Sequence, residues 1–289
     1  MKKRILLILT IIMLVSGIGL LLYPTVSNWL MVNFRELDIA YYNEEVEQMD
    51  QEYVAAQLER AEAYNNALTG SDIKDPFIPG SGIVLPEGYA SILNVDGTIG
   101  YINIPKIGVY LPIYHGTSEE VLQKGVGHLE NTAFPIGGEG NHAVLTGHTG
   151  LSSARLFTDL TELEIGDVFY ITVLDQKLAY EVDQILVVEP SDTKELHPVK
   201  GEDYVTLVTC TPYAINSHRL LVRGTSIPYT EEMEKAQEGG MVDWSDWRTV
   251  IITTVIIIIA AVGIYILIRR RRKIKSKRGK ADEKENKNK

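Results

Sequence analysis

The chain has 289 residues, 45% hydrophobic and 23% charged, with a formal net charge of −10 and one cysteine. That length accommodates one substantial domain plus membrane segments, and a lone cysteine excludes an internal disulfide. Charge is unevenly spread: between residues 5 and 268 stand 13 basic and 35 acidic residues, a net of −22, which repels phosphate polymers and excludes nucleic acid as the partner.

Met1-Lys2-Lys3-Arg4 precedes 19 uncharged residues, Ile5 to Tyr23; the 19 from Val250 to Ile268 are also uncharged and run into Arg269-Arg270-Arg271-Arg272-Lys273. Each run approaches the ~20 apolar residues a helix needs to cross a bilayer core. Cations gather on the cytoplasmic side of spanning helices. The expectation is therefore a transmembrane helix or signal anchor over 5–23 and a second span over 250–268. Short ends at 1–4 and 269–289 would be cytoplasmic, with 25–248 outside the cell. A cleaved signal peptide is the alternative for the first run. No small-residue cleavage site follows it, the chain continuing Pro24-Thr25-Val26-Ser27-Asn28-Trp29, which favours a retained anchor. The basic tail is expected to lie against anionic headgroups.

Residues 24–70 read as an extracellular helical segment. Within 34–69, Val46, Met49, Tyr53 and Ala56 recur at spacings of three and four, predicting an amphipathic helix or helix pair that stops at Gly70. Residues 71–90 form a loop punctuated by Pro and Gly, Asp75-Pro76-Phe77-Ile78-Pro79-Gly80-Ser81-Gly82 at its centre. Strand signals dominate 91–229: Gly100 to Pro105, Val144-Leu145, Val168 to Val173, Leu178 to Val182, Ile185 to Val188, Tyr204 to Thr209 and Leu220 to Arg223. Short β-branched runs separated by turns predict an antiparallel sheet or closed barrel. A short helix is expected over Leu156 to Leu163, a turn at Glu164 to Asp167, and an acidic linker over 230–249.

An unpaired thiol outside the cell needs a reason, the bland one being a small buried hydrophobe. Its neighbours point further. Tyr204 to Cys210 is a strand ending at the thiol, and after eight residues Arg219 opens the next strand. Paired as a hairpin, the two strands set Cys210 beside Arg219. A guanidinium there lowers the thiol pKa and can donate hydrogen bonds to a developing oxyanion. The acid/base partner is open among six histidines. His148, just past a strand and flanked by Gly147 and Gly150, is the best presented, and His218, next to Arg219, is its main rival. His142, His128, His115 and His197 remain candidates.

The run Thr206-Leu207-Val208-Thr209-Cys210-Thr211-Pro212-Tyr213, followed by Asn216, His218, Arg219 and Leu220-Leu221-Val222-Arg223-Gly224, resembles the TLxTC signature of sortases, and more narrowly of class C, the pilin-polymerising group. Gly127-His128-Leu129-Glu130, Pro135-Ile136-Gly137-Gly138, Asn141-His142 and Gly147-His148 resemble the region of that family's catalytic histidine. Asp75-Pro76-Phe77 resembles the class C lid. Thr149 stands where pilin sortases often carry Arg. The resemblance implies an eight-stranded β-barrel over 91–229 with Cys210 as nucleophile, His148 as general acid/base and Arg219 as the substrate- and oxyanion-stabilising cation. It implies cleavage of an LPxTG-like motif in a secreted protein through a thioacyl-enzyme, then transfer to a pilin lysine. The lid at 71–90 would close the site, Asp75 pairing with Arg219 and Phe77 covering the Cys210 sulfur. A partly exposed ion pair and a sulfur–aromatic contact would hold it by roughly 0.3–2.5 kcal/mol.

With reference pKa values of ~8.5 and ~6.5, proton transfer from thiol to imidazole has an equilibrium constant of ~0.01, so a slow enzyme is expected unless the site alters that order. Rival readings are a housekeeping sortase attaching surface proteins to peptidoglycan, a secreted cysteine peptidase, and a structural wall protein with Cys210 in its core. The histidines lack close ligand spacing, and neither metal nor cofactor is expected.

Overall fold

Short β-branched runs bury one face each only by pairing with one another, and in this chain they close on themselves. The computed structural model describes residues 2–68, 73–77, 88–151 and 154–238, with single helical positions at 254, 257 and 265. The chain divides into two units, Met1–Trp244 and Ser245–Lys289. The expected span at 250–268 (those three positions apart), the linker beyond Glu238 and the tail at 269–289 lie outside the described residues, as do Gly70 and 78–87 of the loop.

Eight strands form the barrel: β1 (Thr98–Ile104), β2 (Val109–His115), β3 (Val126–His128), β4 (His142–Thr146), β5 (Val168–Val173), β6 (Gln176–Val188), β7 (Tyr204–Thr211) and β8 (His218–Ile227). Their order is β1-β2-β3-β4-β7-β8-β6-β5, and β5 pairs with β1 to close it. Of the two expected alternatives, antiparallel sheet or closed barrel, the chain forms the barrel, and two of its pairings, β2 with β3 and β4 with β7, are parallel. The two runs expected at 178–182 and 185–188 are one strand, β6, bent by a bulge between Val182 and Gln184. His115 and His128 end β2 and β3. The helix expected over 156–163 is a 3-10 turn, Thr158–Glu162. The expected linker begins instead with a helix, whose Glu234 accepts hydrogen bonds from Tyr229 at 2.6 Å and Lys177 at 3.1 Å.

Strand alternation sorts β4, β7 and β8 into two faces. Ala143, Leu145, Val205, Leu207, Leu220 and Val222 join the main core inside the barrel. Val144, Val208 and Leu221 point outward into a second cluster with Leu129 and Leu196, capped by Ile73 and Phe77 from the loop. The same parity puts Cys210 and Arg219 on the outward face, beneath that loop.

N-terminal to the barrel lie two helices, α1 (Lys2–Glu47) and α2 (Gln51–Ala67), separated where Asp50 caps the second by accepting from the Glu52 amide at 2.8 Å. The break changes the helical phase. Tyr53 and Ala56, expected inside, are exposed, and the buried stripe of α2 is Val54, Gln57, Ala61 and Asn65. Its two amides bond loop backbone: Gln57 accepts from Leu93 N at 3.0 Å, and Asn65 accepts from Phe134 N at 2.7 Å. Tyr42 of α1 donates to Ile99 O at 2.9 Å and accepts from Leu174 N at 2.7 Å, tying the helix to two barrel segments. Among the described residues no single helix is long and apolar enough to cross a membrane. Ile12–Leu20 and Leu22–Glu47, bent by 47°, pass together by length and composition only. Pro24 accounts for a bend there, since it removes the hydrogen bond to the carbonyl four residues back and its ring crowds that carbonyl.

Candidate active site

In the β7–β8 register Cys210 lies directly opposite Arg219, the penultimate pair before the connecting loop. The parallel β4–β7 register ends at Thr146 opposite Val208. Two hydrogen bonds extend it, one between backbones and one from a side chain: Gly147 N donates to Val208 O at 3.1 Å, and Thr209 Oγ1 donates to Gly147 O at 2.7 Å. Counting two residues past the last pair brings His148 alongside Cys210 on the outward face. Gly147 must lack a side chain, because a Cβ there would lie 2.7 Å from the Phe157 ring.

The six histidines separate by what holds them. His128 is bonded at Nδ1 by Tyr89 and at Nε2 by the Ala133 carbonyl, and burial pulls its pKa down to about 3. His142 is bonded to the His197 carbonyl and to Thr206, and burial pulls it down to about 4. His115 bonds the Ile92 carbonyl, and His218 turns to Ser217 at 2.8 Å. His197 is held by its carbonyl's bond to His142. His148 Nε2 is buried and has no hydrogen-bond partner among the described residues; its near neighbour is Glu119 Oε2 at 3.4 Å.

The loop residues occupy this face. Asp75 takes the Arg219 guanidinium in a fork, Nε to Oδ2 at 2.5 Å and Nη2 to Oδ1 at 3.1 Å. Arg219 Nη1 donates to the carbonyls of Asn216 and His218. Asp75 Oδ1 also accepts from Phe77 N at 2.8 Å, a local turn that aims the phenyl ring. That ring lies 5.1 Å from the Arg219 guanidinium carbon and 5.5 Å from the His148 ring, so one aromatic side chain touches both. The ion pair, expected to be partly exposed, is buried, with side chains 8% and 3% exposed. Burial raises the Cys210 thiol above its usual pKa; Arg219 opposes this and Asp75 adds to it. With the loop in place the thiol holds its proton more tightly and the guanidinium is engaged.

The sequence reading did not single out Glu119, which opens helix α3 (Glu119–Lys124). Ser118 followed by two acidic residues marks the helix start, but nothing local announces that its carboxylate reaches the β4 end. Among the described residues no group of three His, Cys, Asp or Glu side chains could hold a metal ion.

A sortase-domain family profile matches residues 102–227, which span β1 to β8 and contain Cys210, His148 and Arg219. The structure of sortase C1 from Streptococcus agalactiae is 48% identical, with a TM-score of 0.64, over 69% of this chain and 98% of that one. The chain belongs to the sortase family. A sortase C from Streptococcus pneumoniae is 50% identical over 66% of this sortase and 97% of its own chain, with a TM-score of 0.62. Among curated relatives, sortase A of Bacillus anthracis is 31% identical over 140 residues, 48% of this chain and 65% of its own length. Sortase D of Bacillus subtilis is 32% identical over 115 residues, 40% of this chain. This sortase thus spans 65% and 55% of those two relatives.

Proposed function

We propose that the protein is a membrane-anchored cysteine transpeptidase that joins pilin subunits. The observation that supports this reading is that Cys210 stands opposite Arg219 in the β7–β8 register, with one ring, Phe77, against both Arg219 and His148. Cys210 attacks the threonine carbonyl of an LPxTG-like sorting motif. His148 protonates the departing amine, and Arg219 donates to the substrate and to the carbonyl oxygen as it gains charge. The thioacyl-enzyme then passes to the ε-amine of a pilin lysine, forming an isopeptide bond. The pilin assignment is supported by identity of 48–50% to sortases C, one of whose structures bears on pilin substrate specificity.

Asp75 and Phe77 act as a lid. Substrate gains the guanidinium only when Asp75 releases it, and that fork is buried, so opening the lid exposes both charges to solvent. Two spans, at 5–23 and 250–268, anchor the barrel outside the cell with both termini cytoplasmic, as the flanking cations favour.

The test is the intermediate. Incubation of the full chain with a sorting-motif peptide should add the acyl fragment's mass to Cys210. Cys210→Ala should give none, and Arg219→Lys, keeping the charge but losing the planar fork, should form it about 10²-fold more slowly. A folded Cys210→Ala protein that still cleaves the peptide would refute the assignment.

A further inference from the structure

Transfer to an amine poses a problem that Cys210, His148 and Arg219 do not solve. A lysine side chain titrates near ~10.4, so it arrives at neutral pH as an ammonium and must lose protons before it can attack a carbonyl. Glu119 stands where such a cation could be held. Its side chain is 68% exposed and therefore reachable, and its Oε2 lies 3.4 Å from His148 Nε2. Its Oε1 accepts from Gln123 Nε2 at 2.9 Å, which orients the carboxylate without neutralising it. His148 Nε2 is buried and has no hydrogen-bond partner among the described residues. When that nitrogen carries no proton, it and the carboxylate are two acceptors facing each other, and one cationic N–H donor satisfies both.

We propose that Glu119 is the acceptor-amine site, its carboxylate holding the ε-ammonium of the incoming lysine against His148. The inference rests on the transpeptidase reading above. After acylation His148 is neutral, having given its proton to the departing amine. The bound ammonium releases one proton to solvent. The amine nitrogen bonds to the thioacyl carbon as a second proton passes to His148, and the carbon–sulfur bond breaks to leave a Cys210 thiolate. The new amide nitrogen keeps one hydrogen. Acyl-enzyme, neutral imidazole and ammonium thus give isopeptide, the thiolate–imidazolium pair and one free proton, with charge balanced. The net charge of −22 over residues 5–268 also favours a cationic acceptor.

The experiment compares acceptors of different charge on the full chain in detergent, with a sorting-motif peptide as donor. The acceptors are Nα-acetyl-lysine amide, cationic at neutral pH, and hydroxylamine, uncharged there. Glu119→Gln should raise the KM for the lysine acceptor roughly five-fold, and Glu119→Lys further, by loss and reversal of one exposed charge pair. The KM for hydroxylamine should change by less than about two-fold in either variant, since no acceptor charge is read, while any effect on turnover through His148 is shared by both acceptors. Equal changes in KM with both acceptors would make Glu119 a positioning residue for His148 and overturn the proposal, as would an unchanged KM for lysine. Failure of the unaltered chain to form any acyl-enzyme would be a separate result, overturning the transpeptidase reading and this inference with it.

Discussion

Cys210 is held by three opposing influences. Burial raises its pKa, the Arg219 guanidinium lowers it, and Asp75 raises it again. Two of the three depend on the loop that carries Asp75, which brings its own charge and helps to cover the site. Asp75→Asn removes the negative charge and the strongest tie of the loop to Arg219. The thiol pKa should then fall, so the midpoint of its alkylation by iodoacetamide moves to lower pH and the rate at neutral pH rises about five-fold or more, a shift of one pKa unit being ten-fold in thiolate. An upward midpoint, or an unchanged rate in a folded variant, would contradict the lid. The spacing of Cys210 and Arg219 was legible from sequence because both lie on one hairpin. The depth of the Asp75–Arg219 pair was not, since burial comes from Ile73, Phe77 and the outward cluster together. Glu119 was illegible for the same reason: its neighbour lies 29 residues along the chain and meets it only in the closed barrel.

Among the elements, β5 and β7 stood out in the sequence because runs rich in β-branched residues leave little choice, whereas β8 was read only over Leu220 to Arg223. β2 and β3 did not: β2 carries Pro112, β3 has three residues, and their parallel pairing has no turn signal to announce it. Two buried histidines fasten this part of the barrel, His128 at the end of β3 and His142 at the start of β4. Their pKa values are pulled down by burial to about 3 and about 4. The unfolded chain protonates them near ~6.5, so on acidification it binds protons that the folded state refuses. Their contribution is whole above about pH 6.5 and is lost as pH falls toward about 4, at up to about 1.4 kcal/mol per pH unit for each ring. The melting temperature should be flat from about pH 7.5 to 6.5 and should fall below that; His142→Gln should flatten the slope. A melting temperature that rises between about pH 6.5 and 5 would contradict this account.

For the whole molecule the question is where the barrel works. Uncharged runs at 5–23 and 250–268, each bounded by cations, argue for two anchors and an external barrel. Protease added to intact protoplasts should then digest the region 25–248 and leave both termini protected. An externally cleaved Lys-rich tail would overturn that topology. The barrel as such was within reach of pattern reading, but its strand order was not, because β4 pairs with β7 across the intervening β5–β6 hairpin. That crossover also sets Thr146, two residues before His148, opposite Val208, two residues before Cys210.

The central claim is that Cys210, His148 and Arg219 join two polypeptides through a thioacyl intermediate. The most direct measurement is the mass of the products when the full chain, with Asp75 and Phe77 replaced by Ala to open the lid, meets a sorting-motif peptide and a lysine-containing acceptor peptide. The account predicts a ligated product joined through the lysine ε-amine, absent with Cys210→Ala and nearly absent with His148→Ala. Cleaved donor alone, with no joined product at any acceptor concentration, would make the protein a peptidase and contradict the claim.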